Sequence, residues 1–380
     1  MIEPLKESSE AETPTRSTSR LADGRTLTHF DDLPGRRHPA SDTRGILPVL
    51  GSPQIRHDPI LDEWVIIASH RQERTHLPSV DKCPLCPSTR GNPTEIPDDD
   101  YDVVVFDNRF PSLVVDSGRL STDGLLAQAP ATGASEVICF SSDHGSSFSE
   151  LPPRRLRTIG RALIDRTVAL SQRSAVEYVF CFENRGEEIG VTLHHPHGQI
   201  YAYPFVPPRV RRGLDSASRY RERTGGCLFC DVCDAELADR RRVVSETPNF
   251  VAFVPWAPRW PLEVHIYARR HVADLSDLSS VELEEAMVLQ ADVLARFDGA
   301  FPPPVPYISA WLQAPVATHR SESHLRLEAF SPRRSAQKLK FLAGSESAAG
   351  VFINDVMPER AAEVLRKAKP AATRLAMEET

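Results

Sequence analysis

The sequence predicts an α+β protein built as a tandem duplication, each half an antiparallel sheet flanked by helices. Three observations carry that expectation. Short β-branched and aromatic runs outnumber helical patterns, one order of motifs recurs at a fixed offset, and each half holds its own Cys-x2-Cys pair. At 380 residues the chain has room for two to three units, or one enlarged fold, at roughly 150 residues per domain.

Residues 1–20 are rich in Ser, Thr and Glu with almost no apolar side chains, so burial cannot offset their ordering entropy and a flexible tail is expected. Between Leu21 and Arg56, LTHF and ILPVL are possible short strands among Gly and Pro breaks. From Ile55 onward EWVIIAS, DVVVFDN, EVICFSS and EYVFCFE read as strands. Between the last two, PPRRLRTIGRALIDRTVALSQR sets Leu156, Ile159, Leu163 and Leu170 at helical spacing behind Pro152 and Pro153, which suit a first turn. A second helix is expected over about residues 280–298, where Leu283, Ala286, Met287, Leu294 and Phe297 mark one face and Ser279 with Glu282 can form a capping box.

Composition excludes several classes of function. Lys and Arg total 45 against 52 Asp and Glu, a net charge of −7, which argues against neutralising a nucleic-acid backbone. No apolar run approaches the roughly 18 residues of a membrane span, and the N-terminus lacks the apolar core of a signal peptide. A cytoplasmic protein without membrane or nucleic-acid partners is expected. Seven cysteines, four of them in the pairs Cys83/Cys86 and Cys227/Cys230, favour metal thiolates over disulfides.

Self-similarity organises the rest. EVICFSSDH ends at His144 and EVHIYARRH at His271; Tyr178 and Tyr307, 129 residues apart, each precede an amide, Asn184 and Gln313, and then a His, His195 and His324. The order Cys83, Cys86, His144, His195 is thus repeated as Cys227, Cys230, His271, His324. Two Cys and two His match a closed tetrahedral zinc site in each half. The expected division is a tail at 1–20, a first half at 21–212 and a second at 213–380, joined within PFVPPRVRRG. Cys139 and Cys181, inside apolar runs, read as core residues.

The segment HHPHGQIYAY contains the chemistry. Pro196 biases its neighbourhood toward extended backbone, so His195 and His197 point the same way, one able to bind metal while the other faces a pocket. A neutral imidazole at His197 can attack phosphorus and divide one displacement into two. Gly198 would let a phosphate approach the backbone, and Gln199 offers an amide donor. At the same offset His197 becomes Arg326 and Gln199 becomes Glu328, so the second half keeps the metal ligand and loses the nucleophile.

The combination of SHRQER, CPLC, FDNRF, CFSSDH, FENRGEEIG, HPHGQ and KLKF, spread from about Ile55 to Lys367, closely resembles the galactose-1-phosphate uridylyltransferase family of the histidine-triad superfamily. The resemblance implies two histidine-triad-like halves and a double displacement that converts UDP-glucose and galactose 1-phosphate into glucose 1-phosphate and UDP-galactose. It matches His197 to the uridylylated nucleophile, Gln199 to a phosphoryl ligand, and Cys83, Cys86, His144 and His195 to the zinc site. It places Asn184 and Thr192 at phosphate contacts, Arg71 and Arg74 at phosphate-side cations, and Asn108 with Arg109 at the uridine. Lys340, Phe341 and Glu346 match a segment that reaches the hexose phosphate across a homodimer interface. The chain departs from the family's SNPHPHGQ, reading Thr192-Leu193-His194-His195 before Pro196. Two alternatives stand beside this reading: a related nucleotide phosphorylase or adenylyltransferase with another base or acceptor, and a zinc-stabilised nucleotide-binding protein without turnover.

Overall fold

The computed structural model describes residues 15–48, 52–73, 76–115, 124–302 and 304–368. The chain runs through strands β1 (Arg16–Arg20), β2 (Thr26–Phe30), β3 (Gln54–Asp58), β4 (Glu63–Ile67), β5 (Val103–Asp107), β6 (Gln128–Pro130) and β7 (Ala134–Cys139) to helix α1 (Pro153–Ser171). Strands β8 (Tyr178–Arg185) and β9 (His197–Tyr203) complete the first set, and helices α2 (Pro208–Thr224) and α3 (Leu228–Asp239) follow. Next come β10 (Val243–Glu246), β11 (Phe250–Phe253), β12 (Leu262–Ala268), α4 (Ser280–Ala300), β13 (Tyr307–Leu312) and β14 (Arg326–Ser331). A hairpin of β15 (Arg333–Ser335) and β16 (Lys338–Leu339) leads to α5 (Gly344–Ser347) and α6 (Pro358–Lys367).

Local signals place the helices as expected. Pro153, Pro208 and Pro358 each open a helix at the position where a missing N–H costs nothing. At α4 both bonds of the Ser279/Glu282 capping box are present.

The α+β class holds, but the halves do not keep separate sheets. Eleven strands form one antiparallel sheet in the order β1-β2-β5-β7-β9-β8-β13-β14-β12-β11-β10, while β4-β3-β6 form a small second sheet. The halves join where β8 pairs with β13, two strands that would otherwise be exposed edges with unpaired backbone groups. Phe182 faces Ala310 and Cys181 faces Trp311. Since Ala310 and Trp311 lie 129 residues beyond Cys181 and Phe182, the two pairs exchange under a local twofold, as duplicated halves require.

One face of the sheet carries α1 and α4 over a shared core that includes Ile138, Ile159, Leu163, Ile266, Leu283, Met287 and Phe297. Each fully buried side chain of this kind contributes roughly 1.5–3 kcal/mol. The helices cross at Gly160, where an added Cβ would lie 2.9 Å from Leu283 Cδ1 and 3.0 Å from Met287 Cγ. The opposite face of the sheet is left for the functional groups.

Two expectations change, and a third meets a continuous helix. The tail over residues 1–20 ends early, because Arg16–Arg20 forms β1 on the edge of β2; residues 1–14 lie outside the described residues. Backbone pairing rather than apolar burial orders these polar residues. In ILPVL, residues 46–48 form no strand, in keeping with the missing N–H of Pro48. The boundary between 212 and 213 falls inside α2, a continuous helix whose Val210 and Leu214 pack with Tyr178 and Leu312.

The shared Glu-Val opening of EVICFSSDH and EVHIYARRH is also not a structural equivalence. Val137 pairs with Gln199 and Cys139 with His197, whereas His265 pairs with Glu328 and Tyr267 with Arg326. The β7-to-β12 offset is therefore 128, one more than the letters give. A slip of one residue turns every side chain over: Glu136 points to the helix face, where Arg166 holds it at 2.7 Å, and Glu263 points to the other.

Candidate active site

In the first half four side chains able to ligate a metal meet. Cys83 and Cys86 come from the loop before β5, His144 from the loop after β7, and His195 directly precedes β9. Their donor atoms all lie within 4.8 Å of one another. Cys86 Sγ is 3.3 Å from His144 Nδ1 and 3.5 Å from His195 Nδ1. Tetrahedral zinc with ordinary bond lengths separates S and N ligands by roughly 3.6 Å, so the set fits. His195 Nε2 donates to Ser141 O at 2.8 Å, with Tyr101 Oη at 2.9 Å, which leaves the Nδ1 lone pair facing the thiols.

The second half repeats the arrangement. Cys230 Sγ lies 3.5 Å from His324 Nδ1 and 3.8 Å from His271 Nδ1, Cys227 completes the set, and His324 Nε2 donates to Ala268 O at 2.8 Å. Burial pushes the Cys86 and Cys230 thiols up to about 12 and the His195 and His324 imidazoles down to about 4. Neutral imidazoles are ready ligands, and a bound cation would draw the protons off the thiols. Cys139, Cys181 and Cys233 are buried in apolar clusters and belong to neither four-residue set, although Cys139 packs in one cluster with Cys83 and Cys233 in one with Cys227.

Beside the first cluster lies a cavity of about 440 Å³ whose lining includes Arg71, Asn108, Arg109, Asn184, Thr192, His197 and Gln199. His197 opens β9, and its Nδ1 is 2.7 Å from His195 O. A carbonyl oxygen only accepts, so the proton sits on Nδ1 and Nε2 keeps its lone pair. Burial holds this imidazole below its ordinary value against the opposing pull of that hydrogen bond. Gln199 follows on the same face; its Oε1 accepts from Tyr201 Oη at 3.0 Å, which leaves the amide N–H groups for another acceptor. Arg71 donates to Phe110 O at 2.8 Å, and Asn108 Oδ1 accepts from Phe110 N at 2.9 Å, closing a turn at the cavity rim.

Some expectations land elsewhere. Gly198 does not face the cavity: a Cβ there would meet Phe140 Cζ at 2.8 Å and Phe182 O at 3.0 Å, so it permits close packing beneath the strand rather than approach of a phosphate. Lys340, Phe341 and Glu346, expected to reach a partner's site, do not line the cavity of their own chain. Lys340 Nζ is 2.9 Å from Glu346 Oε1 and also donates to Ile353 O, while the Phe341 side chain is 75% exposed. Arg74 lies outside the described residues. Sequence reasoning also missed Leu85, Phe106, Phe110, Val137 and Glu95, which line the cavity. Three of the apolar residues sit inside the motifs CPLC and FDNRF, where only polar and sulfur groups had drawn attention.

The corresponding face of the second half is filled by its own side chains. Arg326, at the place of His197, has its guanidinium 4.6 Å from the Phe229 ring and donates to Glu328 Oε1 at 3.2 Å. Burial would raise the Glu328 carboxyl, but His265, Arg326 and Arg209 outweigh it and hold the group at about 2. The result is a paired ion cluster with no free nucleophile.

Comparison with known proteins accounts for both halves. Residues 37–207 match the model of the galactose-1-phosphate uridyl transferase N-terminal domain, and residues 213–378 match that of the C-terminal domain. A galactose-1-phosphate uridylyltransferase from Streptomyces lividans is 42% identical over 363 residues, 93% of this chain and 97% of the relative. One from Thermotoga maritima is 37% identical, covering 83% and 98%. A solved uridylyltransferase structure superposes with a TM-score of 0.74 at 31% identity, over 83% of this chain and 98% of that one.

Proposed function

The chain belongs to the galactose-1-phosphate uridylyltransferase family, and from that premise we propose that His197 is the nucleophile of its reaction. The protein is a nucleotidyltransferase that converts UDP-glucose and galactose 1-phosphate into glucose 1-phosphate and UDP-galactose. One observation carries the assignment of His197: its Nδ1–H is held by His195 O, so Nε2 faces the cavity as a lone pair.

In the first displacement Nε2 attacks the α-phosphorus of UDP-glucose. The N–P bond forms as the bond to the β-phosphate oxygen breaks, and glucose 1-phosphate leaves with the electron pair. The ring gains positive charge, which the His195 carbonyl stabilises through Nδ1–H. Gln199 donates to the phosphoryl oxygens, and Arg71, Arg74, Asn184 and Thr192 hold the phosphates. In the second displacement a phosphate oxygen of galactose 1-phosphate attacks phosphorus and His197 leaves as the neutral imidazole. The base lies among Leu85, Phe106, Phe110 and Val137, with Asn108 and Arg109 on its polar side.

Cys83, Cys86, His144 and His195 hold zinc in this reading, and Cys227, Cys230, His271 and His324 hold a second ion. Four protein ligands make each a closed structural cross-link. In the first half that cross-link positions the His195 carbonyl, and through it the nucleophile.

We further infer a cytoplasmic homodimer with the two halves divided near residues 212 and 213. The thiol clusters suit a reducing compartment. Exposed Phe341, Leu342, Val351 and Ile353 offer an apolar surface from which Lys340, Phe341 and Glu346 could reach a partner's hexose phosphate site.

Intact-protein mass spectrometry after mixing with UDP-glucose tests the nucleophile. A uridylyl adduct is expected on the wild type, removable by galactose 1-phosphate, and none on His197→Ala. An adduct of equal yield on folded His197→Ala would remove His197 from the role.

A further inference from the structure

Away from the two cysteine clusters, a third set of donor atoms converges inside the first half. His29 lies on β2, His38 in the loop after it, and Asp98 between the Cys83/Cys86 knuckle and β5. His29 Nε2 is 3.1 Å from Asp98 Oδ2, and His38 Nδ1 is 3.7 Å from the same oxygen. The three donors lie within 4.8 Å of one another, a spacing like that of the cysteine clusters. Behind them Asp31 Oδ1 accepts from His38 Nε2 at 2.9 Å, which turns the Nδ1 lone pair toward Asp98. A carboxylate on the far nitrogen is the usual partner of a metal-bound histidine.

Two independent features call for a ligand here. His29 is 1% exposed, yet neither ring nitrogen makes a hydrogen bond; Nε2 is close to Asp98 without being aligned for one. Buried polar atoms are nearly always paired, whereas two ligands of one ion sit close without bonding to each other. The second feature is charge. Asp31 and Asp98, 1% and 6% exposed, have only these two imidazoles within ion-pair distance among the described residues, with the Arg36 guanidinium acting on Asp31 from farther away. Two carboxyl groups buried so deeply, with imidazole nitrogens as their close partners, make a setting that a divalent cation complements. The two rings stack with centroids 3.7 Å apart at 13°, which brings both histidines to one side of Asp98.

We propose that His29, His38 and Asp98 bind a divalent first-row transition-metal ion, with Asp31 orienting His38. Two imidazoles and a carboxylate suit zinc or a neighbour in that series. Rotation about χ2, a soft torsion in His, splays the stacked rings so that both lone pairs reach the ion. The ion would fasten β2 and its loop to the segment carrying Leu85 and Glu95, both of which line the cavity.

Cobalt titration of the full-length protein, with zinc-loaded crystals measured across the zinc absorption edge, tests the site. One Co²⁺ equivalent without thiolate-to-metal charge transfer is expected, together with an anomalous peak between His29, His38 and Asp98. His29→Gln and His38→Asn should each lose that equivalent while the thiolate bands stay unchanged. Wild-type protein with neither the non-thiolate equivalent nor the peak at saturating metal overturns the proposal even if both variants fail to fold. So does retention of that equivalent in both variants.

Discussion

The first half holds His197, Gly198 and Gln199 on β9 over an open cavity, while the second half sets Arg326, Leu327 and Glu328 on the matching positions of β14 and closes the charged pair on itself. Both halves keep two Cys and two His with the same distal hydrogen bond from the buried histidine to a backbone carbonyl. A ligand set that crosslinks a fold is needed wherever the fold is used. On the role proposed for His197 a nucleophile is needed once, and the matching face of the copy is filled by paired charges.

Breaking the comparison at His197, the proposed nucleophile, has the largest effect. His197→Ala should lower uridylyl transfer at least ~10⁴-fold in steady-state assays, as expected when a covalent step is lost, whereas Arg326→Ala should leave kcat within about twofold. Arg326→Ala instead acts on stability. It removes one partner of the buried Glu328 and should cost about 3–4 kcal/mol in denaturant unfolding, near the lower end of the range for broken buried pairs because Arg209 remains.

Next comes the joint between the halves, where Glu183 on β8 corresponds to Leu312 on β13. Burial raises the Glu183 carboxyl to about 7, against the Tyr307 hydrogen bond and the charge of Arg185. Between its ordinary 4.5 and 7 the folded state keeps a proton that the unfolded chain releases. Stability should therefore fall as pH rises through that window, by roughly 3 kcal/mol, and level off above it. Glu183→Gln should abolish the decline, which unfolding at pH 5 and pH 8 would reveal.

The smallest change is at Gly198, whose counterpart is Leu327. Gly198→Ala drives a Cβ toward Phe140 and the Phe182 carbonyl and should cost about 2 kcal/mol. Because the strain falls between His197 and Gln199, kcat should drop with it, while Leu327→Ala should lower stability and spare kcat.

Much of the site was legible because its signals are local. Cys83 and Cys86 are separated by one turn, His195 and His197 by one strand repeat, and the loss of His197 at Arg326 appears from the internal offset alone. What escaped depends on which way a side chain faces. Gly198 was read as facing phosphate because Gly is compatible with many roles, and only the packing of Phe140 beneath β9 shows which one applies. The letters of EVICFSSDH and EVHIYARRH align one residue away from their structural register. Leu85, Phe106 and Val137 carry no chemical signal in the sequence, and only the placing of the Cys83/Cys86 loop, β5 and β7 sets them around one cavity.

From residue types and spacing alone came the duplication, both Cys₂His₂ sets, the helix starts at Pro153 and Ser279, and the replacement of His197 by Arg326 in the second half. Periodicity and ligand chemistry act over a few residues and are visible without long-range contacts. Tertiary structure alone decided that β8 and β13 fuse the halves into one sheet, that polar Arg16–Arg20 becomes a strand, and that His29, His38 and Asp98 meet. Each depends on hydrogen bonds or buried charge between segments distant in the chain, where partner choice is set by unpaired strand edges and by the shape of the core.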